Sequence, residues 1–380
     1  MDLAVLVPIV VATALIFDFT NGFHDTANAM ATSIASGALR PRVAVALSAI
    51  LNLVGAFLSV EVAKTISSGL VDEGAIGPSL VFGGLVGAIV WNLLTWYFGL
   101  PSSSSHALFG GLIGATLVAA GWDAVRFGRL VDKVLVPAVA APLIAAMVAM
   151  IATYLACRIT RGCSVSMVRP GFRVGQVVSA SLLSLAHGTN DAQKTMGIIT
   201  LTLISAGSLP AGSGPPVWVI VSAGAAIALG TYLGGWRIVR TLGKGITDIG
   251  IPQGFAAQTS ATAVILTSSH FGMALSTTHV ASGGIVGAGL GTPSARVRWD
   301  TARRMVLAWL LTLPAAGLAG AAAGWTASTG TVGTFAVVLV GLLVGLGVYV
   351  ASRRQVVDEH NVNDIPVEPI EEPTVPVAGR

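Results

Sequence analysis

The sequence predicts an all-α polytopic membrane protein. Of its 380 residues, 54% are hydrophobic and only 10% are charged, whereas soluble globular domains carry about 25% charged residues. Apolar stretches of about 20 residues, the length that crosses a bilayer as a helix, recur along the chain. These stretches are continuously apolar and do not alternate, which argues against a transmembrane β-barrel.

The apolar stretches predict a series of membrane spans separated by short polar segments. The first is expected to be retained, because acidic Asp2 stands where a secretory signal would carry basic residues. The first and sixth contain Gly and charged residues in their middle, so we expect broken helices there. The spans are expected at 3–36, 43–60, 79–98, 105–121, 134–157, 174–204, 216–235, 253–271, 279–291, 303–325 and 331–352.

The basic residues predict the orientation of the chain. If the spans alternate, one side of the membrane receives only Lys64, Arg126, Arg129 and Lys133, and the other receives most of the remaining Lys and Arg residues. The positive-inside rule places the richer side in the cytoplasm. We therefore expect a multi-pass protein of the cell (inner) membrane, with its N-terminus outside and its C-terminus in the cytoplasm.

Two motifs occur twice at about half-length separation. GFHDTAN (22–28) matches GTNDAQK (188–194), and SSSHALFGG (103–111) matches STTHVASGG (276–284). An odd number of spans per copy would bring the second copy in from the opposite face, so we predict an inverted-topology repeat with two re-entrant helical hairpins. The predicted divisions are a first repeat (1–157), a basic cytoplasmic linker (158–173), a second repeat with a final span (174–352) and an acidic, Pro-containing, disordered tail (353–380).

Charged residues lie inside the predicted spans, among them Asp18, Asp25, Asp191 and Lys194. Each costs about 2.5–3.5 kcal/mol near the bilayer centre, so such residues normally face a cavity or a partner. Asp191 and Lys194 alone are also explained by a structural pair at helical spacing. That explanation does not extend to the polar residues duplicated in 22–28 and 188–194, because both halves would then need the same purely structural polar contacts.

The hydroxyl-rich stretches 103–106 and 276–279 each precede a Gly-rich apolar half-helix. The start of a helix offers unpaired N–H groups and partial positive charge, and Ser and Thr add hydroxyl donors there. Two such starts that point inward from opposite leaflets would enclose a small oxyanion. The alternative is that the hydroxyls only cap helix starts in a packed bundle.

The duplicated acids Asp25 and Asp191 would repel an anion unless they also bind a cation or a proton. If they do, each ligand raises the affinity of the other by the same coupling free energy, which is the thermodynamic basis of symport.

Together these motifs resemble the inorganic phosphate transporter (Pit) family. The resemblance rests on NGFHDTANAMAT (21–32), PSSSSHALFGGLIG (101–114), AHGTNDAQKTMGI (186–198) and ALSTTHVASGG (274–284), and it covers the membrane region 1–352. It implies uptake of inorganic phosphate by cation-coupled symport, re-entrant hairpins and a homodimer.

The resemblance also implies site residues. The substrate-binding residues are expected to be Asn28, Ser104, Ser105, Asn190, Lys194, Thr277 and Thr278, and the ion-coupling residues Asp25, Asp191 and His24. His24 and Lys194 replace Asn of the generic motif. These replacements resemble the bacterial low-affinity branch, which is proton-coupled and can carry a neutral metal–phosphate complex, so we expect protons to be the driving ion.

Other functions remain open at this point. A sodium-coupled phosphate or sulfate symporter would keep the same fold, and a membrane lipid-phosphate phosphatase would suit Ser-rich hairpin tips. An enzyme needs an asymmetric nucleophile and base, however, and no G-x-S-x-G motif is present. A passive anion channel is disfavoured because buried acids oppose anion flow. We expect a non-enzyme with no cofactor, no resident metal and no nucleic-acid partner.

Overall fold

The computed structural model describes residues 2–69, 77–161, 164–292 and 296–364, and over these ranges its regular structure is entirely helical. The first half contains α1 (Leu3–Ala35), α2 (Pro41–Gly55), α3 (Glu61–Gly69), α4 (Pro78–Tyr97), α5 (Ser104–Ala120), α6 (Phe127–Leu130) and α7 (Val136–Ile159). The second half contains α8 (Val165–Ser205), α9 (Val217–Leu233), α10 (Trp236–Arg240), α11 (Ile251–His270), α12 (Thr277–Leu290), α13 (Trp299–Ser328) and α14 (Thr331–Ser352). A 3-10 turn (Trp122–Ala124) precedes α6, and π-helical segments follow α6 (Val131–Leu135) and α10 (Thr241–Gly245).

Several helices have the length and composition of membrane spans. In the described part of the chain, five helical segments qualify alone, namely Leu3–Ala35, Pro78–Tyr97, Phe127–Ile159, Trp299–Ser328 and Thr331–Ser352. A sixth combines α9 with Trp236–Gly245 across a 61° bend. Each predicted span overlaps a helix, which confirms the all-α polytopic class. The short helix α3, which carries Glu61 and Lys64, was not predicted from the sequence.

The expected breaks within the first and sixth spans are wrong, because α1 and α8 run uninterrupted for 33 and 41 residues. Gly22 and Gly188 serve another purpose. A Cβ on Gly22 would overlap the backbone of α9, and one on Gly188 would overlap the backbone of α2. These glycines let each long helix cross a neighbour closely, and side chains from other helices satisfy the polar groups without a break in the backbone.

The connection between α7 and α8 is shorter than the predicted linker (158–173). Because α7 ends at Ile159 and α8 begins at Val165, only residues 160–164 connect them, and residues 162 and 163 lie outside the described ranges. The basic residues of 165–173 extend α8 beyond its apolar part. Arg173 contributes to the fold there, since its Nε donates a hydrogen bond to the carbonyl oxygen of Ala38, just past α1.

The contacts of the two halves are equivalent once the halves are exchanged. α1 packs against α9, whereas α8 packs against α2. The first hairpin (α4, 98–103 and α5) packs against α13, and the second hairpin (α11, 271–276 and α12) packs against α7. Each half therefore completes the packing of the other around the crossing of α1 and α8. This pattern fits the predicted repeat, and the inverted topology stays a prediction.

The first part of the predicted disordered tail is ordered. Val362 is buried, Arg240 donates a 2.6 Å hydrogen bond to the carbonyl oxygen of Asn361, and Glu359 pairs with Arg42. These contacts hold the tail segment (353–364) against residues near the ends of α1, α2 and α10. Residues 365–380, which include the Pro-containing part of the tail, lie outside the described residues.

Candidate functional site

The two hairpin tips meet at the crossing of α1 and α8. Ser105 of the first tip donates a 3.1 Å hydrogen bond to the carbonyl oxygen of Leu275 in the second, and the rings of His106 and His279 lie 4.9 Å apart. Tip residues and the adjoining helical residues are buried in a chain whose outer helices expose apolar side chains. The arrangement creates one enclosed polar cluster inside an apolar protein.

The first tip contacts the acid of α1. The Ser103 side chain caps α5 by accepting a hydrogen bond from the backbone N–H of His106. The next residue, Ser104, donates a 2.9 Å hydrogen bond to Asp25 Oδ2. The helix start therefore faces the carboxylate that the sequence analysis assigned to ion coupling.

The second tip contacts the acids of both long helices. Thr277 Oγ1 lies 3.2 Å from Asp191 Oδ2 and 3.5 Å from Asp25 Oδ2, and Thr278 Oγ1 lies 3.4 Å from Asp25 Oδ1. Asn28 Nδ2 donates a 2.9 Å hydrogen bond to Thr278 Oγ1. The contact of Thr277 with Asp191 mirrors that of Ser104 with Asp25, and the second tip additionally contacts Asp25 through Thr277 and Thr278.

Basic side chains accompany both carboxylates. His24 Nδ1 lies 2.6 Å from Asp25 Oδ1, and the ammonium of Lys194 forms an ion pair with Asp191. His187 Nε2 lies between the acids, 3.0 Å from Asp191 Oδ2 and 4.0 Å from Asp25 Oδ2. All five side chains are buried, where a charge is tolerated only when it is paired.

The orientation of His187 is set by Asn52 of α2. His187 Nδ1 lies 3.3 Å from Asn52 Oδ1, while Asn52 Nδ2 donates a 2.8 Å hydrogen bond to Thr231. Because the amide oxygen can only accept a hydrogen bond, Nδ1 is the donor and carries a hydrogen. The Nε2 atom then faces two carboxylates, and this geometry is favourable only if Nε2 is protonated or binds a cation.

These three residues also form the one candidate cation site found among the described residues. Ligand atoms of Asp25, His187 and Asp191 all lie within 4.8 Å of one another. Imidazole nitrogen and carboxylate oxygen suit divalent transition metals such as Mn²⁺ or Zn²⁺. No metal site was expected from the sequence. His187 was not among the predicted site residues, because it reaches both acids only through the crossing of α1 and α8.

Most of the predicted site residues come together, and two, Ser105 and Asn190, lie outside the cluster. The cluster contains Asp25, Asp191, His24, Asn28, Lys194, Ser104, Thr277 and Thr278. Ser105 instead joins the two tips, and Asn190 turns toward α11, where its Nδ2 donates a 2.9 Å hydrogen bond to Ser269.

Each half contains a hydrogen-bonded pair that joins its long helix to the first arm of its hairpin. His24 Nε2 lies 3.1 Å from the hydroxyl of Thr95 at the end of α4, just as Asn190 contacts Ser269 at the end of α11. His24 and Asn190 are the residues that precede the two acids. Each therefore fixes its long helix to the first arm of a hairpin, a role that the single-sequence motifs did not reveal.

An apolar groove behind the tips does not fit an oxyanion. A volume of about 540 Å³ lies behind the tips, between α7 and α13, and reaches His106, His279 and Trp309. Its remaining lining is almost wholly aliphatic. An oxyanion needs hydrogen-bond donors, so the chemistry points to the polar cluster between the tips.

Comparison with known proteins bears on this fold and cluster. A model of the phosphate transporter family matches residues 21–320. A Mycobacterium bovis protein named probable low-affinity inorganic phosphate transporter is 58% identical over 94% of this chain and 87% of its own length. A Bacillus subtilis protein of the same name is 41% identical over 84% of this chain and 97% of its own length.

A solved structure, the sodium-dependent phosphate transporter, shares the fold with a TM-score of 0.70 at 23% identity, covering 85% of this chain and 99% of that one. The relatives are named as transporters, which confirms the expectation of a non-enzyme. The family match extends over most of the chain and includes every residue of the cluster between the tips. The chain belongs to the phosphate transporter family.

Proposed function

We propose that this protein imports inorganic phosphate by cation-coupled symport, with protons as the driving ion. The observation that carries the proposal is the position of His187 Nε2, which faces the carboxylates of Asp25 and Asp191. Two acids around one nitrogen favour a proton or another cation at that nitrogen, and the cluster lies against hydroxyl donors suited to an oxyanion. Cation and anion sites are thus in direct contact.

The coupling follows from donors that the acids and phosphate share. A hydroxyl has one proton to donate, and Ser104 and Thr277 donate theirs to Asp25 and Asp191 in this structure. When a cation neutralises the carboxylates, these hydroxyls become free to turn toward phosphate. Phosphate in turn lowers the cost of holding the cation, so the two ligands bind cooperatively.

The remaining phosphate ligands come from both halves of the cluster. The starts of α5 and α12 offer backbone N–H groups and partial positive charge, the features that bind anions at helix starts. Asn28 supplies an amide donor beside the second tip. Lys194 pairs with Asp191 and is placed to contribute its charge once that acid is neutralised.

A metal–phosphate complex is a second form of the substrate that the geometry supports. Asp25, His187 and Asp191 offer three ligands to a divalent ion, and phosphate could complete its coordination. The metal would then travel as cargo with phosphate. Uptake of phosphate with and without Mn²⁺ or Mg²⁺, followed with both labels, distinguishes this form from free phosphate.

Alternating access would move the tips relative to α1 and α8. The first hairpin packs against α13 and the second against α7, each a helix of the other half, so a shift of one hairpin with its partner helix would open the cluster to one side. We retain the proposed orientation, with the N-terminus outside the cell membrane and the tail in the cytoplasm, and a homodimeric assembly.

The test is uptake of labelled phosphate into proteoliposomes with proton and sodium gradients imposed separately. We expect accumulation with the proton gradient, and its loss in Asp25→Asn. The matched control is Asp248→Asn, because Asp248 is exposed and pairs only with Arg298 among the described residues. Accumulation driven by sodium alone would refute proton coupling, and normal uptake by Asp25→Asn would refute the role of the cluster.

A further inference from the structure

A third carboxyl group lies in the membrane interior, apart from the cluster between the tips. Asp18 is on α1, seven residues before Asp25, and its side chain is 0% exposed. Seven residues are close to two helical turns, so Asp18 lies on nearly the same face as Asp25, about 10 Å along the axis. The mechanism proposed above does not use it.

Asp18 differs from the other two acids in its surroundings. Neither of its carboxylate oxygens has a hydrogen-bond partner among the described residues. Asp25 accepts hydrogen bonds from His24 and Ser104, and Asp191 pairs with Lys194. Burial of an ionised carboxylate without a donor carries a large cost, which a bound proton removes. Asp18 is therefore suited to the neutral acid form in this conformation.

Other polar groups beside Asp18 are also without partners. The Thr195 hydroxyl of α8 is the side-chain donor nearest to Asp18 and makes no well-aligned hydrogen bond, and both amide atoms of Asn21, one turn along α1, have no partner among the described residues. Three neighbouring polar side chains without well-aligned partners, one of them a carboxyl group, suit a site that takes up and releases a proton.

The charges that act on Asp18 connect it to the phosphate cluster. The charged groups that act on Asp18 are Asp191, Lys194 and His187, all on α8. If Asp18 is ionised, its charge competes with Asp191 for the ammonium of Lys194. If Asp18 holds a proton, Lys194 remains available to Asp191 and to phosphate. Protonation of Asp18 thus raises the affinity for phosphate, and phosphate raises the affinity for the proton.

We infer that Asp18 is a proton-binding site that carries one of the protons transported with phosphate. The Asp18 carboxylate binds one proton from the outer side, and the neutral acid releases it once the inward-open state hydrates the carboxyl group. The inference rests on the proposed phosphate symport and assigns one coupled proton to a position outside the cluster between the tips.

The test compares Asp18→Asn with the wild type in proteoliposomes. One pH unit corresponds to a tenfold gradient for each coupled proton. The phosphate accumulation ratio of Asp18→Asn should therefore be about tenfold lower per pH unit, while counterflow of labelled phosphate without a gradient continues. Asp18→Glu should restore the wild-type ratio. An unchanged ratio in Asp18→Asn would overturn the inference.

A second measurement keeps the inference testable if Asp18→Asn also loses counterflow. Infrared difference spectra on phosphate addition should show the carbonyl band of a protonated carboxylic acid in the wild type, and folded Asp18→Asn should lack the contribution of Asp18 to that band. A band of unchanged intensity and position in the variant would overturn the inference. Failure of the proposed function looks different, because the wild type itself would then show no proton-driven accumulation.

Discussion

Replacement of Thr277 by Val tests whether the hydroxyl donors are shared between the acids and phosphate. The substitution keeps the branched shape and removes one hydroxyl, which lies 3.2 Å from Asp191 Oδ2. A hydrogen bond to a charged group contributes about 1.5–3 kcal/mol, which corresponds to about a 10- to 150-fold change in affinity.

The effect should depend on pH. At acidic pH the proposed coupling favours the proton-loaded cluster, in which the wild-type hydroxyl is free for phosphate, so Thr277→Val should raise the phosphate KM by the full factor. At alkaline pH the wild-type hydroxyl must first leave Asp191, so the loss should be smaller. The assay is initial uptake into proteoliposomes at both pH values, with Thr277→Ser expected near the wild type.

Thr202→Val is the matched control for this prediction. Thr202 is also buried, but its hydroxyl donates to the carbonyl oxygen of Ile198 in its own helix, so its loss should change KM less than threefold. A Thr277→Val protein whose KM stays within threefold of the wild type at acidic pH would refute the reasoning. An equal loss at both pH values would also contradict the sharing of donors.

Two further predictions concern packing and the tail. Gly110→Ala should lower the melting temperature and abolish uptake, because its Cβ would overlap a carbonyl oxygen of α13, whereas Gly341→Ala, with nothing within 4 Å, should do neither. Normal uptake by Gly110→Ala would show that the hairpin tolerates displacement. The pKa of Glu359 is lowered from 4.5 by its hydrogen bond from Arg42, so the pair stabilises the tail segment above pH 4.5 and is lost as pH falls through the lowered pKa. The protection of the 355–363 amides against hydrogen exchange, taken relative to the intrinsic rate at each pH, should therefore fall at acidic pH, and Glu359→Gln should already be less protected at pH 7; equal protection of both proteins at pH 7 would contradict the role of the pair.

Much of the fold follows from composition and the duplicated motifs. The hydroxyl runs before α5 and α12 predicted two helix starts, and the structure has Ser103 and Ser276 as N-caps there. The continuity of α1 and α8 was not predictable from Gly22 and Gly188, because a glycine inside a helix serves close packing as readily as a break. The difference lies in the crossing helices α9 and α2, which a local pattern does not contain.

The site was predictable in its members but not in its connections. Buried charge is costly, so Asp25, Asp191 and Lys194 stand out in any reading of the sequence. The position of His187 between the acids depends on how α1 crosses α8 and on an amide from α2. Ser105 lies beside Ser104 in the sequence, yet its hydroxyl faces the opposite tip, since adjacent residues on a helix point in different directions.

The most direct test of the account is an experimental density map of the protein in lipid at acidic pH with saturating phosphate. The account predicts phosphate between the two tips, with Ser104 and Thr277 donating to it and Lys194 in contact with it. Phosphate density elsewhere in the protein, or both hydroxyls still donating to Asp25 and Asp191 with phosphate bound, would contradict it.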